Sequence, residues 1–244
     1  MREVDAITTL SQSMAEEIAN RGVPKTKIHV MPNAVEANWL SISTDASKLR
    51  AELDVADNEF LIGLLTTFSA HEGVNTLLEA VQQLRNQGVP VKCVLVGDGP
   101  TFQDAKNWMR EHDSSKYVNL VGRLPRQVLP AWYQALDVFV LPRIDARVTQ
   151  LVTPLKPIEA MALGVPVVCS AVGGLKEIVQ PGVTGELFTP DDPADCAAAV
   201  QSLLYDSTRR KRLSEAAREW VAANRTWSQV AQRYVKLYQE LGAI

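Results

Sequence analysis

Several features that define specialised classes of protein are scarce in this chain of 244 residues. It has 3 cysteines, Cys93, Cys169 and Cys196, and no CxxC pair, so neither a zinc site nor a disulfide framework is indicated. No apolar run approaches the roughly 18 residues that a membrane helix requires. The N-terminus also lacks the charged-then-apolar pattern of a signal peptide. We therefore expect a protein of the reducing cytoplasm.

An excess of charge of one sign is also missing. The chain has 25 Lys and Arg against 28 Asp and Glu, a net charge of -3, which argues against nucleic acid or an anionic membrane as the main partner. The basic run at residues 209–212 is therefore predicted to be a solvated helix face. Hydrophobic residues make up 46% and charged residues 22%, a globular composition that excludes a disordered or fibrous chain.

Short apolar strands alternate with helical patterns through most of the chain. Runs rich in Val, Leu and Ile predict strands at residues 4–9, 28–31, 60–66, 91–96, 117–121, 138–141, 165–169 and 185–188. Helical spacing or helix-ending glycines predict helices at residues 12–21, 46–53, 74–86, 101–112, 127–135, 158–163 and 175–179. Unbroken apolar strands alternating with helices predict an α/β fold, a Rossmann-like parallel sheet with helices on both faces.

The last 50 residues have a different pattern, with three predicted helices and no strand between them. These helices cover residues 193–204, 208–223 and 227–241. The last one carries an apolar stripe of Trp227, Val230, Tyr234, Leu237, Tyr238 and Leu241. Such a stripe has to be covered. We expect it to dock on residues 1–35 or to form a homodimer, the simpler alternative being that it completes the core of the main domain.

The longest loop after a predicted strand, residues 142–157, is the candidate ligand site. Ligands of open parallel sheets bind beyond the carboxyl ends of the strands, and long loops in compact domains are often functional. Pro157 suits the first turn of a helix, so the amides of Thr153, Leu155 and Lys156 would lie at a helix N-terminus, where anions bind.

Charged side chains in and after this loop point to a phosphate-plus-sugar site. Arg143, Arg147 and Lys156 supply positive charge, and Glu159 lies where a carboxylate could accept hydrogen bonds from sugar hydroxyls. The alternative interpretation is that the arginines are surface charges and that Glu159 complements the helix dipole.

The pair Gly97 and Gly99 follows a predicted strand, but a dinucleotide fingerprint would need a third glycine where Phe102 stands. We therefore expect a tight turn or a close ligand approach there, not a nicotinamide site.

An ordered series of short motifs runs through nearly the whole chain. It comprises Thr9-Leu10-Ser11, Met31-Pro32-Asn33-Ala34, Glu72-Gly73-Val74, Leu95-Val96-Gly97-Asp98-Gly99-Pro100, Val121-Gly122-Arg123, Ala135-Leu136-Asp137-Val138, Pro154-Leu155-Lys156-Pro157-Ile158-Glu159-Ala160-Met161-Ala162, Gly164-Val165-Pro166-Val167-Val168, Gly173-Gly174, Glu177 and Gly182-Val183-Thr184-Gly185. In this order the motifs resemble the C-terminal half of a family-4 retaining glycosyltransferase of the GT-B fold, also described as glycosyl transferases group 1.

The resemblance implies a domain that binds a nucleoside-diphosphate sugar as substrate, with no metal or other cofactor. Glu159 would hold ribose hydroxyls, and the backbone of Thr153, Pro154, Leu155 and Lys156 would meet the diphosphate and sugar. Gly122, Arg123 and Leu124 would line the base. The loop from Ser69 through Glu72 to Gly73 would face the phosphates, and Gly97 would be a further donor-binding residue.

The chain departs from the family pattern at three points. The family's first glutamate falls at Leu151, next to Gln150, and its usual arginine and lysine after the first strand of the domain fall at Thr67 and Glu72. Arg143, Arg147 and Lys156 are the expected substitutes for these two cations, and Gln150 and Lys156 are the predicted catalytic residues. The chain is also shorter than the roughly 300–400 residues of a fold with two Rossmann-type domains.

We therefore expect residues 1–35 to be a remnant of the N-terminal acceptor domain, 36–225 the donor-binding domain and 226–244 a C-terminal crossover helix. Whether the chain is an excised domain or a partial reading frame stays open, as does peripheral attachment to the inner membrane through the missing domain. The acceptor would be a glycan, lipid or small molecule. A non-catalytic nucleotide-sugar binding module, a sugar-nucleotide epimerase and an interaction scaffold are the alternatives.

Overall fold

Two parallel sheets organise residues 4–243, the part of the chain that the computed structural model describes. The strands are β1 (Ile7–Thr9), β2 (Ile28–Val30), β3 (Phe60–Thr67), β4 (Val91–Asp98), β5 (Val118–Val121), β6 (Val138–Leu141), β7 (Val167–Ser170) and β8 (Glu186–Phe188). The helices are α1 (Gln12–Asn20), α2 (Ser47–Glu52), α3 (Val74–Asn86), α4 (Phe102–Glu111), α5 (Leu129–Gln134), α6 (Arg147–Leu151), α7 (Lys156–Ala162), α8 (Gly173–Lys176), α9 (Pro193–Leu204), α10 (Ser207–Asn224) and α11 (Trp227–Glu240).

The larger sheet has six parallel strands in the order β5-β4-β3-β6-β7-β8. The strand order reverses between β3 and β6, which pair at Ile62 with Val138 and at Gly63 with Phe139. Strands β6 and β7 are buried along their whole length, as unbroken Val and Leu runs require when helices cover both faces. The predicted Rossmann-like α/β class is confirmed.

A smaller sheet of two parallel strands, β1 and β2, stands apart from the six-stranded sheet, with α1 between its strands. Ser11 caps α1 by accepting a hydrogen bond from the Met14 amide at 3.0 Å. The Glu177 carboxylate, just after α8, accepts from the backbone amides of Gln12 and Ser13 at 2.8 Å each. A carboxylate at a helix N-terminus satisfies amides that have no partner within the helix. Glu177 therefore ties the small sheet to the large one.

The C-terminal helix α11 docks on the segment that follows β2. Val230 and Leu237 form a buried cluster with Met31 and Ala34, against which Ala6 and Tyr234 pack. The Val35 amide donates to the Arg225 carbonyl at 2.9 Å, which fixes the start of the helix. Docking on residues 1–35 is confirmed, whereas the homodimer stays a prediction.

Two differences from the predicted elements concern the site. The loop at 142–157 contains a short helix, α6, where the sequence predicts only loop. The predicted helix at 175–179 begins earlier, at Gly173. Within residues 4–243, no helix has both the length and the apolar character needed to cross a membrane.

Candidate functional site

A cavity of about 180 Å³ opens beyond the carboxyl ends of β3 and β4, beside the point where the strand order reverses. It is lined by Leu65, Thr66, Thr67, Val96, Gly97, Arg123, Leu124, Leu129, Tyr133, Lys156 and Glu159. This is the edge where open parallel sheets bind their ligands. Five of the sequence-predicted site residues are therefore brought together: Gly97, Arg123, Leu124, Lys156 and Glu159.

Glu159 presents a buried carboxylate to this cavity from the first turn of α7. Its Oε2 accepts a hydrogen bond from the hydroxyl of Tyr133 at 2.9 Å. Burial raises the pKa of Glu159, and the Tyr133 hydrogen bond and the charges of Arg126 and Lys156 oppose that rise only in part. Burial and the neighbouring Glu159 keep the pKa of Tyr133 well above its ordinary value, so Tyr133 remains a donor. The Tyr133 hydrogen bond therefore fixes the orientation of the Glu159 carboxylate in the cavity.

A second buried carboxylate, Glu72, lies in the loop after β3 and forms ion pairs with Arg143 and Lys156. Its Oε1 is 2.8 Å from Arg143 Nη2, and its Oε2 is 3.2 Å from Lys156 Nζ. Thr66 Oγ1 donates to Oε2 at 2.8 Å. Burial raises the pKa of Glu72, but Lys156, Arg143 and the Thr66 hydrogen bond outweigh it, so the pKa lies below the ordinary value. Glu72 is therefore a charged carboxylate at neutral pH.

The two cations paired with Glu72 have different positions. Lys156 lines the cavity, and burial lowers its pKa against the opposing effect of Glu72. Arg143 is buried, donates from Nη1 to the Val152 carbonyl at 3.2 Å, and accepts a hydrogen bond from Ser170 at its own carbonyl at 2.6 Å. Arg143 therefore supports the loop from beneath, and Lys156 is the cation within reach of a ligand.

Two further predicted residues lie outside the cavity lining. Arg147 is exposed and pairs with Glu17 on α1. The sequence predicts this arginine as a third cation for the phosphates. Gln150 accepts from the Gly173 amide and donates to Asp145, both at 2.7 Å. These two hydrogen bonds hold the Gln150 amide in a fixed position outside the cavity lining.

The loop between α6 and α7 is held by the segment around β1 and β2. Asn33 Nδ2 donates to the Thr153 carbonyl at 2.8 Å, and the Thr153 hydroxyl donates to the Leu10 carbonyl at 3.3 Å. Pro154 is buried and Leu155 packs against the main core. The predicted anion-binding backbone therefore has a fixed position.

The remaining predicted residues surround these groups. Ser69 and Gly73 flank Glu72 in the loop after β3, and Gly122 is exposed beside Arg123. The backbone of Gly97 packs closely against the backbone of Thr66, since a Cβ at Gly97 would lie 1.7 Å from the Thr66 carbonyl oxygen. The close contact predicted at Gly97 is therefore with the protein itself.

The sequence pattern did not identify two residues of the site. Tyr133 lies in a predicted helix just before a buried strand, but nothing in the pattern marks it as a partner of Glu159. Asn33 was not predicted to anchor the loop between α6 and α7. Among residues 4–243, no group of three or more His, Cys, Asp or Glu is placed to hold a metal ion.

The comparisons with known proteins agree with this geometry. The chain is 25% identical over 242 residues to the GDP-mannose-dependent alpha-(1-6)-phosphatidylinositol monomannoside mannosyltransferase of Mycolicibacterium smegmatis, covering 96% of this chain and 62% of that protein. It is 31% identical over 244 residues to the glycogen synthase of Mycobacterium tuberculosis, covering 98% of this chain and 55% of that protein. The chain thus spans little more than half the length of these relatives.

The fold matches that of Anabaena HepE in complex with UDP, with a TM-score of 0.86 and 23% identity over 97% of this chain and 64% of that one. HepE in complex with UDP-glucose matches with the same TM-score. The family model for glycosyl transferases group 1 matches residues 45–220, which contain the whole cavity lining. The chain belongs to the glycosyl transferases group 1 family and has the Rossmann-like fold of GT-B enzymes.

Proposed function

We propose that the chain is the donor-binding half of a retaining glycosyltransferase, which transfers a sugar from a nucleoside-diphosphate sugar to an acceptor. One observation carries this proposal. Lys156 and Glu159, three residues apart on α7, present a cation and a carboxylate to the same cavity at the switch point of the sheet. A diphosphate needs the first group, and sugar hydroxyls need the second.

Relatives support the class of donor. One curated relative is GDP-mannose-dependent, and a structural neighbour binds UDP and UDP-glucose. The diphosphate and the ribose are common to these ligands, whereas the base and the transferred sugar differ. We therefore assign this chain a nucleoside-diphosphate sugar and leave the base and sugar to a binding panel.

The polar residues of the cavity have separate roles in this proposal. Glu159, oriented by Tyr133, accepts hydrogen bonds from the ribose hydroxyls. Lys156 donates to the diphosphate and stabilises the charge that develops on it as the sugar leaves, which is usually the largest catalytic contribution. Arg123 and Leu124, which also line the cavity, contact the base.

We also propose a division of labour along the chain. Residues 36–225 hold the donor, and 1–35 and 226–244 belong with the acceptor half of the enzyme. The docking of α11 on Met31 and Ala34 supports this grouping. The acceptor, a glycan, lipid or small molecule, would bind between the two halves.

The proposal is tested by titrating the 244-residue chain with UDP, GDP and their sugar esters in a calorimeter. Glu159→Ala should weaken binding of the nucleotide that the wild type prefers by about 1.5–3 kcal/mol, since hydrogen bonds to a charged group are lost. Glu79→Ala removes the same charge from an exposed site on α3 and is the control. Equal affinity of wild type and the Glu159 variant would contradict the ribose assignment, and no binding of any nucleotide would contradict the donor site.

We further propose that Lys156, and not Arg147, binds the diphosphate. Lys156→Gln should weaken nucleoside diphosphate binding about tenfold and reduce its salt dependence, because Lys156 lines the cavity. Arg147→Gln should bind like the wild type, because its guanidinium faces Glu17 on α1. A loss of affinity in the Arg147 variant as large as that in the Lys156 variant would restore the three-cation hypothesis.

A further inference from the structure

The buried carboxylate of Glu72 lies directly beneath the wall of the donor cavity. Glu72 is 1% exposed and is not among the residues that line the cavity. Two residues that line the cavity, Thr66 and Lys156, contact its Oε2 at 2.8 and 3.2 Å. The charge of Glu72 is therefore one side chain away from any phosphate that Lys156 binds.

Glu72 lowers the net charge of the ion-pair cluster that it forms with Arg143 and Lys156. Arg143, Lys156 and Glu72 together carry one net positive charge, and the His71 imidazole Nε2 lies 3.3 Å from Glu72 Oε1. Without Glu72 there would be two. The Arg143 guanidinium donates to Glu72 and to the Val152 carbonyl, while its buried Nε has no hydrogen-bond partner within residues 4–243.

The two ligands of a transfer reaction differ in charge. A nucleoside diphosphate ends in a phosphate monoester whose second ionisation occurs near pH 6, so at neutral pH it carries about one more negative charge than its sugar ester. A phosphate oxygen bound to Lys156 Nζ would lie roughly 6 Å from the Glu72 carboxylate, two hydrogen-bond lengths of about 3 Å. Two unit charges at that distance change an equilibrium by roughly threefold in water and by roughly a hundredfold at the effective dielectric of a protein surface, so the intermediate environment of this cavity gives about tenfold.

We propose that Glu72 is a specificity-determining residue, which weakens binding of the product nucleoside diphosphate more than binding of the sugar-bearing donor. The inference rests on the proposed function, because it requires a diphosphate at Lys156. Its consequence is that the leaving group, once formed, is released more readily than it would be from a site with two net positive charges.

The test is the ratio of the affinities for UDP and UDP-glucose, and for GDP and GDP-mannose, measured by calorimetry on the whole chain. We expect the wild type to bind the diphosphate no more tightly than its sugar ester. Glu72→Gln should shift the ratio about five- to tenfold toward the diphosphate. Removing one partner of a buried ion pair destabilises a fold, but unfolded chains lower both apparent affinities equally and cancel in the ratio.

Two control variants separate charge from structure. Glu79→Gln makes the same change at an exposed position of α3 and should leave the ratio at the wild-type value. The double variant Glu72→Gln/Arg143→Gln returns the cluster to one net positive charge and should restore the wild-type ratio.

A wild type that binds the diphosphate more tightly than the sugar ester would overturn the inference. So would a Glu72 variant that weakens both ligands equally, since that result indicates a structural role only. If the wild type binds no nucleotide at all, the proposed function fails and the inference fails with it.

Discussion

Replacing Gly73 with alanine should lower the free energy of unfolding by about 3–5 kcal/mol and abolish nucleotide binding. Gly73 has a φ of +70°, and a Cβ at this position would lie 1.8 Å from the Pro142 carbonyl oxygen. Both the left-handed conformation and the contact with rigid backbone oppose a side chain. Gly73 immediately follows Glu72, and Pro142 immediately precedes Arg143, so relieving the overlap separates the two buried charges. Denaturant unfolding and a nucleotide titration check the two effects.

Gly88→Ala is the matched control. Gly88 has a φ of +80°, but a Cβ there would have nothing within 4 Å, so only the conformational strain of about 1 kcal/mol applies. The difference between the two variants therefore measures the close approach of the loops after β3 and β6. If both variants lose the same stability, the approach at Pro142 contributes nothing.

The larger sheet could be predicted from the sequence because each strand is an unbroken apolar run that helices cover. The errors are displaced element ends and a missed short helix, and they have local causes. The strand predicted from Val165 begins at Val167 in the structure, since Pro166 cannot donate a ladder hydrogen bond and only its carbonyl pairs, with Phe139. Helix α6 was not predicted because five residues are too short to show a period.

The part of the site that lies on one helix could also be predicted. Lys156 and Glu159 are three residues apart, so they fall on the same face of α7 wherever that helix is placed. The position of Glu72 in the site could not be predicted from the sequence, because its pairing with Arg143 joins residues 71 positions apart. That contact depends on the adjacency of β3 and β6, which is a property of strand order and not of local pattern.

Arg147 illustrates the same limit in the opposite sense. From the sequence, its position in a basic loop favoured the phosphate site. In the structure, helix α6 begins at Arg147. The Arg147 guanidinium pairs with Glu17 on α1, which is 130 residues away in the chain. Local charge density predicts a cation near a loop, but the partner that the cation finds is decided by tertiary contacts.

The last prediction concerns the docking of α11. Leu237→Ala should lower the local stability of this helix by about 3 kcal/mol, because Leu237 is buried against Met31 and Ala34 in a cluster with few other members. Hydrogen exchange of the α11 amides measures this as a roughly hundredfold loss of protection. Nucleotide affinity should fall by less, since the cluster is linked to the site indirectly, through neighbouring residues such as Asn33 and its hydrogen bond to Thr153.

Val235→Ala on the same helix separates docking from dimerisation. Val235 is 46% exposed, on the face that also leaves Tyr238 and Leu241 accessible. If α11 serves only to cover Met31 and Ala34, the Val235 variant keeps its protection and its mass, while the Leu237 variant loses protection. If the chain is instead a dimer through the exposed face, Val235→Ala weakens association and the mass measured by light scattering falls toward that of one chain. Full protection of α11 in the Leu237 variant would show that the contact with Met31 and Ala34 does not hold the helix.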